Sequence, residues 1–236
     1  MKRHLWSQNL TATYCPAWPC PRCKTGTLAL DKQSFRCEET VGSKKEHSVP
    51  EWEPEWVRYV FSTWAKCQTP ACGEAVAISG TGSMRSAMED DGNVTWEDYF
   101  SPLFCFPMPP IIDIPQKCPQ KIREELGAAF GAFWSLPASC AGRIRVVLEH
   151  LMNHIGVQGN DLHSKLDAFA KNDPAVGAQL MALKWLGNSG SHVGEVSQDD
   201  LLNAFEILEH SLSEIIDQRS ANVSALAKKL ADKHKN

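Results

Sequence analysis

Two pairs of cysteines in the first third of the chain are spaced for metal binding. Cys20 and Cys23 lie in CPRC, Cys67 and Cys72 lie in CQTPAC, and a glycine follows soon after each pair. Two thiolates two to four residues apart can reach one tetrahedral ion from a tight turn, and glycine lets the backbone turn there. The spacing therefore predicts one metal site with four thiolate ligands.

Zinc is the ion that this ligand set predicts, because two such pairs separated by strand-like sequence resemble a zinc ribbon. A four-cysteine site leaves no open position for water, so its predicted role is in folding and not in catalysis. Two alternatives remain open: Cys37 in FRCEE or His47 could replace one ligand, or the cysteines could be free buried thiols. The remaining cysteines lack a partner at metal-binding spacing and are interpreted as buried or incidental: Cys15, Cys105, Cys118 and Cys140.

A polar stretch, KWLGNSGSH, separates two helical patterns in the second half of the chain. Gly187 is predicted to end the first helix, and Ser197 with Asp200 is predicted to cap the second. Lys184, Asn188 and His192 could converge on a phosphate, with histidine as general acid or base and a cation stabilising the developing charge. The alternative is a loop whose Asn and His satisfy buried helix ends.

An upstream helix, RIRVVLEHLMNHIG, carries further candidates for the same site. At about 100° per residue, Arg145 and Glu149 flank its apolar stripe on one side, and Arg143 and His150 flank it on the other. The simpler interpretation of Arg145 and Glu149 is an ion pair on the helix surface, worth a few tenths of a kcal/mol. Ordinary packing at the edge of the stripe is the favoured interpretation of Arg143 and His150.

The elements that must position these residues change in character along the chain. Residues 1–80 contain short alternating stretches typical of strands. Residues 81–118 are rich in Gly and acidic residues and then in Pro, which predicts an extended linker. Residues 119–236 follow the helical period through five segments and a basic tail that could form a sixth helix. The predicted fold is α+β, with a small zinc-ribbon-like β domain followed by a mainly α-helical bundle.

Composition and charge argue against a membrane-spanning or secreted protein and bear on the choice of partner. The 236 residues contain 43% hydrophobic residues and carry a net charge of −4. No apolar run approaches the roughly 20 residues that cross a bilayer, and no apolar core follows the basic N-terminus, so a cytoplasmic protein is expected. Residues 1–73 hold 10 Lys or Arg against 7 Asp or Glu, whereas residues 74–110 hold 1 against 6 and residues 111–236 hold 13 against 15. A mildly basic first segment permits a nucleic-acid partner.

Tryptophan is concentrated at the N-terminus. Five of the eight tryptophans lie in the first 64 residues: Trp6, Trp18, Trp52, Trp56 and Trp64. They could stack on nucleic-acid bases. The favoured interpretation is that they supply the core of a domain with few other large side chains.

The helical part resembles a known family. Arg145 and Glu149 in RIRVVLEHLMNHIG, together with KWLGNSGSHVGEVSQDDLLNAFEILEHSL, resemble the bacterial family called domain of unknown function 4145, over roughly residues 119–217. This resemblance implies a HEPN-like helical bundle, a zinc-ribbon fusion partner and a link to anti-phage defence. Many HEPN domains are metal-independent ribonucleases in which Arg and His meet across a homodimer and leave a 2′,3′-cyclic phosphate.

The HEPN nuclease signature is an Arg, four to six residues and then a His, with a polar residue directly after the Arg. Arg145 and His150 have this spacing, but Val146 occupies the polar position. In the GNSGSH stretch, Gly187 stands in place of the Arg and Lys184 is the nearest cation. Three functions are therefore expected to compete. The first is a binding module for nucleic acid, RNA before DNA, whose helical part forms a homodimer. The others are a homodimeric endoribonuclease and a non-catalytic interaction subunit of a larger complex.

Overall fold

A computed structural model of the chain describes residues 1–88, 92–189 and 196–235. The chain divides into two compact units, Lys2–Pro110 and Ile111–Asn236. The first unit is built on an antiparallel sheet and the second on helices. An α+β fold is therefore confirmed, with the boundary between the two parts at residue 110.

The sheet of the N-terminal unit has five strands: β1 (Leu28–Leu30), β2 (Arg36–Glu39), β3 (Arg58–Cys67), β4 (Ala75–Met88) and β5 (Val94–Phe106). Strands β3, β4 and β5 are consecutive antiparallel neighbours, and both β1 and β2 pair with β3. A short helix, α1 (Val41–Glu46), and 3-10 turns at Arg3–Leu5, Lys32–Ser34 and Pro54–Trp56 complete the unit.

Alternation along β3 determines which face of the sheet is buried. Phe61, Thr63 and Ala65 are buried, whereas the residues between them are exposed, as expected for side chains on opposite faces of a strand. The core interpretation of tryptophan is confirmed for Trp6 and Trp18, whose buried rings stack with centroids 5.9 Å apart. Trp56 and Trp64 are exposed, so the core interpretation does not hold for these two residues.

The predicted linker over 81–118 is wrong for residues 81–106, most of which belong to β4 and β5. One glycine of this segment, Gly82, has a packing role, because a Cβ there would lie 2.4 Å from the Phe100 ring. Just before the segment, a Cβ at Gly80 would lie 2.1 Å from the Ser101 carbonyl oxygen. Glycine is therefore what allows β4 and β5 to approach at these positions. Residues 111–118 belong to the helical unit, with Ile111 and Ile112 buried.

The C-terminal unit contains six helices in its described residues: α2 (Gln120–Ala132), α3 (Pro137–His154), α4 (Leu162–Ala170), α5 (Pro174–Ser189), α6 (Gln198–Asp217) and α7 (Arg219–His234). The five predicted helices and the helical tail are thus confirmed. The predicted capping box is present, since the Ser197 side chain accepts from the Asp200 N–H and the Asp200 side chain accepts from the Ser197 N–H. None of the described helices is long and apolar enough to cross a lipid bilayer.

Apolar stripes on α2, α3 and α6 form the core of this unit. The largest of their fully buried side chains are Ile122, Leu126, Phe133, Ile144, Leu148, Leu151, Met152 and Phe205. One predicted boundary is wrong: α5 continues through Gly187 to Ser189 and does not end at the glycine.

Candidate metal centre and a polar cluster on the helical unit

The four predicted metal ligands lie together in the N-terminal unit. Cys20 and Cys23 lie in the loop before β1, Cys67 is the last residue of β3, and Cys72 lies in the turn before β4. Their sulfur atoms all lie within 4.8 Å of one another, and the Cys20–Cys72 and Cys23–Cys67 pairs are each 3.7 Å apart. Four cysteines so arranged can bind one metal ion.

Backbone turns hold the two cysteine pairs in place. In the first turn the Cys20 N–H donates to the Gly26 carbonyl oxygen at 2.8 Å, and Lys24 adopts the left-handed conformation at φ 61°. In the second turn the Cys72 N–H donates to the Thr69 carbonyl oxygen at 2.9 Å, and Gly73 has φ 60°. Gly73 therefore has the turn-forming role that the sequence predicted for both glycines.

Gly26 has a different role, which only the packing of the two turns reveals. A Cβ on Gly26 would lie 2.2 Å from Thr69 Oγ1 and 2.7 Å from Cys67 Sγ. The absence of a side chain lets the first cysteine turn lie directly against the second. The sequence identified Gly26 but gave no signal for its contact with Thr69, because the two residues are far apart along the chain.

Hydrogen bonds and burial act in opposite directions on the thiols. The Gly26 N–H donates to Cys23 Sγ at 3.3 Å and lowers the pKa of Cys23 to about 6. Burial raises the pKa of Cys20 to about 12, because a thiolate is poorly solvated there. A bound cation would favour the thiolate at every position, so metal binding at this site releases protons.

The alternative ligands do not join this cluster. Cys37 is exposed on β2 and pairs in register with Phe61. His47 Nε2 lies 2.8 Å from a Glu39 carboxylate oxygen, and its ring packs against Trp52. The interpretation of the other cysteines as buried is confirmed for Cys15, Cys105, Cys118 and Cys140.

A second cluster joins α3 and α5 in the helical unit. Arg145 Nε lies 3.4 Å from Glu149 Oε1, and the Arg145 guanidinium also donates to the side-chain oxygen of Asn188. A Cβ on Gly187 would lie 2.9 Å from Arg145 Cβ and 3.1 Å from the Ala141 carbonyl oxygen. Gly187 therefore permits a close crossing of the two helices, and that crossing brings Asn188 within reach of Arg145.

The remaining candidates are less closely connected to this cluster. Lys184 is buried one turn before Asn188, with Nζ 4.0 Å from the centroid of the Trp185 ring. Arg143 pairs with Glu125 of α2 at 3.0 Å. In the described residues, no hydrogen bond or ion pair joins His150 to Arg145 or Asn188. The predicted acid or base, His192, lies outside the described residues.

Comparison with known proteins gives two family matches. Residues 8–106 match the family model described as "Domain of unknown function (DUF8608)" and residues 127–233 match that described as "Domain of unknown function (DUF4145)". The second match confirms the resemblance found from Arg145, Glu149 and the GNSGSH stretch. No curated protein and no solved structure matches the chain.

Proposed function

We propose that this is a cytoplasmic, nucleic-acid-associated protein of the bacterial defence type, with RNA as its partner. A zinc-ribbon-like N-terminal unit supplies the binding surface, and a HEPN-like helical unit forms a homodimer. The convergence of Cys20, Cys23, Cys67 and Cys72 supports this function most strongly, because it ties the loop before β1 to the β3–β4 turn.

Zinc fits this donor set. A tetrahedral ion with zinc–sulfur bonds of about 2.3 Å requires sulfur–sulfur separations of about 3.8 Å. Two of the pairs lie 3.7 Å apart, close to that value. Four sulfur ligands leave no site for a substrate, so the ion would hold the two cysteine turns together and take no part in catalysis.

Two properties of the N-terminal unit support nucleic acid as the partner. Its first 73 residues carry an excess of three basic residues, 10 against 7, whereas the rest of the chain is acidic. Trp64 is exposed on β3, and an exposed aromatic ring can stack on a base of any sequence. A sheet made rigid by a metal ion would hold such groups in fixed positions.

The test compares purified wild-type protein with Cys20→Ser, Cys67→Ser and Cys37→Ser variants. Wild type should contain one zinc per chain and retain single-stranded RNA on a filter. Cys20→Ser and Cys67→Ser should lose both zinc and RNA, whereas Cys37→Ser should lose neither because Cys37 lies outside the cluster. Absence of RNA binding by the zinc-loaded wild type would refute the proposed partner.

A second function, metal-independent endoribonuclease, is supported by the Arg145–Glu149–Asn188 cluster. In this scheme His192 accepts the proton of a ribose 2′-hydroxyl, whose oxygen attacks the adjacent phosphorus and breaks its bond to the 5′-oxygen. The 5′-oxygen takes up a proton from solvent and leaves as the 5′-hydroxyl of the downstream strand. The Arg145 guanidinium, oriented by Glu149 and Asn188, stabilises the charge that develops on the phosphoryl oxygens. The product is a 2′,3′-cyclic phosphate.

Arginine variants on the same helix separate catalysis from folding. Arg145→Ala and His192→Ala should abolish cleavage of mixed RNA in excess EDTA. Arg143→Ala should cleave normally, because Arg143 contacts Glu125 and lies outside the cluster. Equal cleavage by Arg145→Ala and wild type would exclude this cluster as the catalytic centre.

A further inference from the structure

Three large aromatic rings are exposed on one face of the sheet in the N-terminal unit. Trp64 is 49% exposed, Phe104 is 58% exposed and Phe106 is 80% exposed. Trp64 on β3 and Phe106 on β5 lie in one cross-strand row, with Ala77 of β4 between them. Phe104 lies two residues before Phe106 on the same side of β5. These three rings and the small residues between them are called the outer face below.

A β-bulge is the reason that two of these rings point outward. The pairing of β4 with β5 shifts between Ser79 and Gly80, which leaves Leu103 as an extra residue. Phe100, before the bulge, points into the core, and uninterrupted alternation would send Phe104 and Phe106 the same way. The extra residue moves the side chains that follow it to the opposite face of the sheet. The irregular pairing therefore leaves Phe104 and Phe106 exposed.

The spacing of the rings suits planar ligands. Two residues along a strand separate Phe104 from Phe106 by about 7 Å, and two strand spacings separate Trp64 from Phe106 by about 10 Å. This backbone spacing of about 7 Å equals two stacking distances of about 3.4 Å, the separation that two parallel rings need to hold one base between them. Ala77 and Ser79 form the floor between the rings, in a cleft of about 420 Å³.

Polar groups of the outer face are of the kinds that bind the ribose and the phosphate of a nucleotide. Ser62 and Ser79 pair in register and line the cleft, and within the described residues neither hydroxyl forms a hydrogen bond. Arg36 pairs with Ser62 on the opposite side. Its guanidinium donates to the Gln33 and Phe35 carbonyl oxygens at 2.8 and 2.7 Å, and it forms no ion pair in the described part of the chain.

The other charges near this face are balanced or exposed. Lys66 forms an ion pair with Asp31 at 2.8 Å. Glu38 pairs with Val60 in the row beyond Arg36 and is exposed to solvent. Arg36, which lies in register with Ser62 of the cleft and has no acidic partner among the described residues, is therefore available for a phosphate.

We infer that the outer face binds single-stranded RNA, with bases stacked on Trp64, Phe104 and Phe106 and a phosphate on Arg36. The inference rests on the proposed function for the class of partner and adds the binding site. An aliphatic protein surface would cover the rings but leave the serine hydroxyls without hydrogen-bond partners and the guanidinium without an anion. RNA supplies a partner for each group, and its 2′-hydroxyl, which DNA lacks, is the match for Ser62 and Ser79.

The experiment measures fluorescence anisotropy of a labelled single-stranded RNA of about 12 nucleotides, titrated with the zinc-loaded full chain. Trp64→Ala and Phe106→Ala should each weaken binding roughly 5- to 150-fold, and Trp64→Phe should recover most of the loss. Trp56→Ala is the matched control, because Trp56 is an exposed tryptophan of the same unit that lies outside the cleft. Arg36→Gln should reduce the slope of log affinity against log salt by about 0.7.

The possible results separate an error in the proposed binding site from an error in the proposed partner. No RNA binding by wild type would overturn the proposed function and this inference together. RNA binding that is unchanged in Trp64→Ala and Phe106→Ala would overturn the site alone. Equal affinity for DNA of the same sequence would overturn the assignment to RNA. A shift from dimer to monomer in Trp64→Ala, with RNA binding intact, would instead identify the outer face as an interface between copies of the chain.

Discussion

Replacing Gly26 by alanine tests the arrangement of the metal centre directly. The added Cβ would lie 2.2 Å from Thr69 Oγ1 and 2.7 Å from Cys67 Sγ, so one cysteine turn must move away from the other. Overpacking a close contact of this kind costs about 1–3 kcal/mol. A metal ion bound by all four cysteines would hold the two turns together, so the metal-bound state would bear this cost. Zinc affinity should therefore fall roughly 5- to 150-fold.

The assay is competition for zinc between the protein and a chromogenic chelator. Gly42→Ala is the control, because no atom lies within 4 Å of a Cβ placed on Gly42, and its zinc affinity should equal that of wild type. Thr69→Ala should restore part of the affinity to Gly26→Ala, since it removes the atom nearest to the added methyl group. If Gly26→Ala binds zinc as tightly as Gly42→Ala, the close contact between the two turns does not exist and the reasoning is refuted.

Three further predictions concern the helical unit. Gly187→Ala should lower the free energy of unfolding by about 1–2 kcal/mol, because the added Cβ would clash with α3. Gly131→Ala should raise it by up to about 1 kcal/mol, because alanine favours the helix and its Cβ would touch no other atom. Urea titrations followed by circular dichroism would measure both values. Burial raises the pKa of Cys140 to about 12, so iodoacetamide at about pH 8 should label it only after unfolding, as mass spectrometry would detect. Hydrogen bonds from Ser197 lower the pKa of Asp200, so the folded helix binds this proton less readily than the unfolded chain does. The stability advantage of wild type over Asp200→Asn should therefore be present at neutral pH and decrease as the pH falls below about 4, as urea midpoints would show.

The helices could be predicted because their determinants are local. The stripe on α6, from Leu201 to Leu212, repeats at the helical period, and Ser197 with Asp200 supplies the cap within three residues. Cysteine pairs are equally local signals, since a short turn fixes where two thiolates point. The sequence therefore predicted that Cys20, Cys23, Cys67 and Cys72 come together, and neither Cys37 nor His47 belongs to the cluster that could hold a metal ion in the described residues.

The long hairpin of β4 and β5 could not be predicted in the same way. Acidic residues and glycine over residues 81–98 are typical of linkers, and proline at Pro102 weakens a strand pattern further. What stabilises these strands is their pairing with each other over twelve registered positions, from Ala77 with Phe106 to Met88 with Val94. Composition within one segment does not contain that information.

Long-range polar contacts were missed for a related reason. Arg145 and Asn188 are 43 residues apart, and only the crossing of α3 with α5 brings them together. Helical periodicity placed Arg145 beside an apolar stripe but could not say which helix would cover it. The ion pair with Glu149, four residues away on the same helix, was predictable because it needs no tertiary structure.

Glycine explains why a turn was predicted where the helix continues. Glycine occurs in this chain for two different reasons. At Gly73 the backbone has a positive φ, whereas at Gly26, Gly80 and Gly187 a neighbouring group lies too close for a Cβ. Sequence context favours the first role whenever polar residues surround the glycine. In the GNSGSH stretch the first glycine has the second role. It brings Asn188 to Arg145, so this polar contact is made from a helix that packs closely against α3, which is a more rigid base for recognition or catalysis than a free loop would provide.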